Sequence, residues 1–131
     1  MTTTYKILGQ VAPFVPSGTT STGWTTIYTV PTGKQAIVTN ILAGLTTIGQ
    51  QSTPFSLSLV PNGQTANNTS TSIGCFYYVQ AGGNDPNQSL NFDLCMSEGD
   101  SIQVMYNSAT RAVGDPRYPT TFTAMGTEIT P

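Results

Sequence analysis

No segment of this chain repeats apolar residues at the three- and four-residue spacing of a helix, whereas several alternate them one by one. In "FSLSLV", Phe55, Leu57 and Leu59 fall on one face, inward, and Ser56 and Ser58 on the other. Leu90, Phe92 and Leu94 alternate with Asn91, Asp93 and Cys95, and Ile102, Val104 and Tyr106 continue the pattern. Glycine and proline break the chain between these runs, and short alternating runs between turn signals read as strands. Eight such runs can be marked: Tyr5 to Gly9, Trp24 to Val30, Lys34 to Gly44, Phe55 to Val60, Ile73 to Gln80, Ser89 to Cys95, Ser101 to Asn107 and Thr120 to Thr130.

The expected fold is therefore all-β, an antiparallel two-sheet β-sandwich of jelly-roll or immunoglobulin-like type. At 131 residues it forms a single domain, 1–131, with residues 1–23 read as an extended N-terminal segment. The strongest local signal is "WTTIYTVPTGKQAIVTNI", Trp24 to Ile41. It reads as a hairpin, with Pro31 presetting φ and Gly33 accepting a positive one. Trp24, Tyr28 and Val30 would share its more aromatic face. The return strand, apolar on both sides around Ala36 to Val38, belongs in the middle of a sheet.

Charge is the unusual quantity. Only 8% of residues are charged, against about 25% in an ordinary domain. Their place is taken by hydroxyl and amide side chains, threonine alone making up about a sixth of the chain. Four cations and a net charge of −2 cannot neutralise many phosphates, which argues against nucleic acid as a partner. No apolar run approaches membrane-spanning length, and the first residues lack the charged and apolar stretches of a signal peptide. A surface with so little charge suits a chain that meets neighbours in an assembly. Unprotected sheet edges would then be covered by other subunits.

Chemistry finds little support. The chain has no histidine, which removes the usual general base and the commonest metal ligand. Of the six acids, Glu98 and Asp100 share the turn "SEGD", where carboxylates ordinarily bind backbone N–H groups. No loop offers the oxygen cluster that calcium needs. No enzyme, cofactor or metal site is expected. Cys75 and Cys95 read as buried free thiols, with a disulfide as the alternative. Asn67, Asn68 and Asn87 each open an Asn-x-Ser/Thr triplet of the kind that arises by chance in so polar a chain. Trp24, Phe76, Tyr77 and Tyr78 belong first to core packing and next to subunit contact. Adjacent Tyr77 and Tyr78 must occupy opposite faces of a strand. With Arg111, Arg117 and Tyr118 of the loop "RAVGDPRY", the residues Trp24, Tyr77 and Tyr78 form the candidate interface set.

Three stretches carry a family resemblance. "YKILGQVAP" is followed, after a Thr-rich spacer, by "IYTVPTGKQAIVTNI"; the chain then ends with Gly99-Asp100, the strand Ile102 to Tyr106, and "FTAMGTEIT". In this order they resemble small β-rich structural proteins of tailed bacteriophages, especially cyanophages. The likeness covers somewhat over half the chain, and 50–88 add nothing to it. It implies a non-enzymatic virion component, a capsid cement or decoration protein. Such a protein binds the exterior of the assembled shell in the host cytoplasm and bridges capsomers. Its partners would be the phage major capsid protein and further copies of itself, a trimer being favoured over a dimer. A neck, tail or baseplate position, or a carbohydrate-binding module using Trp24, Tyr77 or Tyr78, are the alternatives.

Overall fold

In the computed structural model the chain runs through β1 (Thr2–Val11), β2 (Ser21–Thr29), β3 (Gln35–Leu45), β4 (Thr53–Val60), β5 (Phe76–Ala81), β6 (Asn87–Met96), β7 (Ser101–Asn107) and β8 (Thr120–Thr130). The structure describes residues 1–12, 21–45, 53–66, 76–81, 87–107 and 120–131; within these, only the backbone is described at 21–22, 44–45, 53–55, 76–81, 87–88, 106–107 and 120. Among the described residues all regular structure is strand.

The strands form two four-stranded antiparallel sheets, β1-β8-β3-β6 (sheet A) and β2-β7-β4-β5 (sheet B). The pairs β1·β8, β2·β7, β3·β6 and β4·β5 nest inside one another. This is one long hairpin, wound so that β3 also pairs β8 and β4 also pairs β7. Of the two sandwich types expected, the winding selects the jelly roll. An immunoglobulin fold would pair several consecutive strands, and here only β4 and β5 do so.

The expected hairpin at Trp24 to Ile41 is corrected by this winding. Its turn exists: Gly33 has φ +77° and the Lys34 N–H donates to the Pro31 carbonyl at 3.2 Å. The two strands, however, lie in different sheets. At the end of β2 the backbone is already bonded to the β6–β7 turn, Val30 N–H to the Asp100 carbonyl and Gly99 N–H to the Val30 carbonyl. The Pro31–Gly33 turn therefore carries the chain across the sandwich. The single aromatic face of β2 is also corrected, because the register shifts between Thr26 and Tyr28. Ile27 and Tyr28 are both buried, while Trp24 is half-buried on the outer side. β3 does lie inside its sheet, between β8 and β6.

The core fills the space between the sheets, led by Phe122, Ile41, Val38 and Val104. Leu57 and Leu59 face it from β4, opposite Val104 and Ile102. Ser56 and Ser58 point outward as expected, opposite Met105 and Gln103, yet both are buried. Leu90, Phe92 and Leu94 pack against the core from β6, with Asn91, Asp93 and Cys95 exposed, as the alternation required.

Two glycines set the closest approaches of the chain. A Cβ on Gly9 of β1 would run into the Ile27 carbonyl of β2, so the edges of the two sheets meet there backbone to backbone. A Cβ on Gly126 of β8 would strike the Ile37 carbonyl of β3. Because the opposing atom at Gly9 is main chain, Gly9→Ala is expected to cost about 1–3 kcal/mol of stability. Urea unfolding measures this, and an unchanged midpoint would contradict the close approach.

Candidate functional site

β8 presents Phe122, Ala124, Gly126 and Glu128 on its inner face, so a carboxylate stands where the alternation calls for an apolar residue. Glu128 is 7% exposed. A buried carboxylate must be paired, and Glu128 is paired from three sides. Its Oε1 accepts from Lys34 Nζ at 2.7 Å and from Lys6 Nζ at 3.0 Å. Its Oε2 accepts from the Tyr28 hydroxyl at 3.3 Å. Lys6 comes from β1, Tyr28 from β2 and Lys34 from the turn before β3. Half of the chain's four cations thus converge on one acid.

The electrostatics follow from this geometry. Hydrogen bonds from Lys34 and then Lys6 outweigh desolvation and lower the Glu128 carboxyl from 4.5 to about 2. Burial first, and then the Glu128 charge and hydrogen bond, push the Tyr28 phenol up from 10.0 to about 12. Near neutral pH the Glu128 carboxylate is therefore ionised and the Tyr28 phenol protonated, and the cluster ties β1, β2 and the turn before β3 to β8 as a clamp. In the sequence it showed only as one of six acids; the signal that could have found it is an acid on the apolar side of an alternating strand.

The turn acids do what was expected of them and also tie turns to one another. Asp100 accepts from Ser97 N–H and from Asn62 N–H, each at 2.9 Å. Glu98 accepts from Gly33 N–H at 2.8 Å. Gly99 has φ +83° and lies against the Asn62 side chain, leaving no room for a Cβ. Among the described residues no group of three or more Cys, Asp or Glu could hold a metal ion, and no helix is long and apolar enough to cross a membrane.

Of the expected interface residues, the structure describes Trp24, Tyr77 and Tyr78. Trp24 opposes Met105, Met105 opposes Ser56, and Ser56 opposes Tyr78, which puts Trp24 and Tyr78 in one row across sheet B. They stand on its two edge strands, three strand spacings or about 14 Å apart. Tyr77 is in the neighbouring register position, opposite Leu57. Arg111, Arg117 and Tyr118 lie outside the described residues, as do Cys75, Asn67 and Asn68. Cys95 is free but exposed, which corrects the expectation of a buried thiol; it stands on the outward side of β6.

The surface that sequence reasoning missed is the outer face of sheet A. Its rows run Tyr5–Thr127–Ile37–Cys95, Ile7–Met125–Asn40–Asn91 and Gln10–Thr123–Leu42–Ser89. No residue in these rows is charged, and Tyr5 and Ile7 are 59% and 61% exposed. At one end of the face an open groove of about 210 Å³ is lined by Gln35, Ala36, Ile37, Cys95, Met96, Ser97 and Ile129. A face of Thr, Asn and aliphatic side chains, whose described strand residues include one acid, Asp93, is suited to contact by shape and hydrogen bonding.

The clamp gives a pH prediction with a definite sign. A carboxyl lowered by folding contributes stability above its unfolded value, and that contribution is lost as pH falls from 4.5 towards about 2. The raised Tyr28 phenol removes stability as pH rises from 10.0 towards about 12. Glu128→Gln is expected to cost about 1–3 kcal/mol at neutral pH and to flatten the acid limb. Urea midpoints measured from acid to neutral pH check this; an acid limb unchanged in Glu128→Gln would contradict the assignment.

No family model and no curated protein matches the sequence. Among solved structures the chain is similar to one described as "Structure of infectious bursal disease virus Gx strain", at 11% identity and a TM-score of 0.43. That match covers 98% of this chain and 32% of the other, so this chain spans about a third of its length.

Proposed function

We propose that this protein is a non-enzymatic structural component of a tailed-bacteriophage virion, a cement or decoration protein that binds the outside of the assembled capsid as a homo-oligomer and bridges capsomers. One observation carries the reading. The stretches that resemble phage structural proteins, taken from both ends of the sequence, are neighbours in space: they supply β1, β8 and β3 of sheet A and β2 and β7 of sheet B. Lys6, Tyr28, Lys34 and Glu128 all lie within them, as do Gly9 and Gly126. In this chain the resembling stretches are therefore the ones that pack the jelly roll together, which supports reading them as one pattern.

The surface supports the same reading. A protein that binds assembled shell better than free subunits stabilises the shell by linkage, and many modest contacts add up by avidity. A sheet face with so little charge fits such contacts. The carbohydrate-binding alternative is weaker, because Trp24 and the Tyr77–Tyr78 pair stand on opposite edges of sheet B and form no continuous platform. Quantitative mass spectrometry of purified particles tests the proposal. Copies in the hundreds, in proportion to capsomers, are expected. About a dozen would place the protein at a neck or tail symmetry axis and overturn the capsid assignment.

A further inference from the structure

A sheet edge exposes a row of backbone N–H and C=O groups, and proteins that stay monomeric protect such edges with charges, prolines, bulges or short strands. Among the described residues, β2 has two register shifts and β6 carries the exposed Asp93, while β5 as a whole is no longer than the regular part of β1. β1 combines greater length with a regular stretch. Its register with β8 is regular from Thr2 to Ile7, and its single irregularity comes later, between Ile7 and Gly9. Beyond that point, at Gly9, it is covered by β2. Thr2 to Ile7 contains no proline, every residue of it is exposed, and its only charge, Lys6, is drawn onto Glu128.

We propose that the Thr2–Ile7 edge of β1 pairs antiparallel with the same edge of a second copy across a two-fold axis, joining two A sheets into one eight-stranded sheet. The inference rests on the reading of the protein as a homo-oligomer and names the contact. A second copy is the occupant because the strip is self-complementary. Its one charge, Lys6, shares the Glu128 carboxylate with Lys34, the rest of the strip is uncharged, and an edge strand always offers its own twin a matching ladder. At β6 a two-fold pairing centred on Asp93 would set it against like charge. For the outer faces to stay continuous, outward residues must oppose outward residues. The register centred on Tyr5 does this: Tyr5 meets Tyr5, Thr3 meets Ile7, and each Lys6 meets Thr4 rather than its twin. The most exposed apolar side chains of the face, Tyr5 and Ile7, are then covered from one side. The paired segment is about 20 Å long, less than a standard interface provides, so the dimer dissociates on dilution. A two-fold closure also differs from the trimer that the phage resemblance favours.

Sedimentation of the purified chain across a concentration series tests the contact. The expected result is one chain when dilute and two when concentrated, with Tyr5→Lys remaining a single chain throughout and melting at an unchanged temperature. Asp93→Lys, on the opposite edge, should leave the dimer intact. A cross-link provides a second readout: directly opposed residues stand about 4.5–5.5 Å apart, within disulfide reach. Tyr5→Cys in a Cys75→Ser, Cys95→Ser background should therefore oxidise to a covalent dimer. A chain that stays single at every concentration, a trimer, or a dimer that survives Tyr5→Lys without forming the cross-link overturns the proposal. None of these outcomes bears on the copy number in particles, so the contact and the virion role fail separately.

Discussion

Glu128 is the charge on which this architecture closes. Its strand, β8, pairs with the first strand on one side and with β3 on the other. β8 therefore holds β1 in place. Residues of β1, β2 and the turn before β3 meet at the Glu128 carboxylate, and β2 and β8 belong to opposite sheets. The cluster takes three of the chain's ten charged residues, two of its four cations among them.

The clamp works with close backbone packing. Gly9 brings the β1 edge against β2, and Gly126 lets β8 lie tight on β3. Gly33 and Gly99 take positive φ in the turns that Glu98 and Asp100 tie together. The winding needs such devices because nearly all its pairings are between distant strands, and little local structure exists to hold them before the chain closes.

The strands themselves were legible in the sequence, because period-two alternation and Gly/Pro punctuation are local properties. The runs at 101–107 and 120–130 match β7 and β8 residue for residue. Partner choice was not legible. Pro31–Gly33 makes the same turn whether the chain returns along its own sheet or crosses to the other, so the apparent hairpin at Trp24 to Ile41 could not reveal the crossing. The bulge after Thr26 depends on pairing with β7 and left Tyr28 on the wrong expected face. Ser56 and Ser58 were assigned their side correctly, but their burial depends on the neighbouring strands. Glu128 was read only as one of six acids, although it stands on the apolar side of an alternating strand. Its partners Lys6 and Lys34 are 122 and 94 residues away, beyond any local pattern.

Under the proposed pairing, the outer face of sheet A continues across the regular, exposed Thr2–Ile7 edge of β1 into a second copy. Amide hydrogen exchange followed against protein concentration tests this most directly. The outward-facing amides of Thr2–Ile7 are expected to exchange rapidly in dilute solution and to slow markedly as concentration rises, while those of the β3–β8 pair stay protected throughout. Rates along β1 that do not depend on concentration, or protection that appears along β6 instead, would contradict the account.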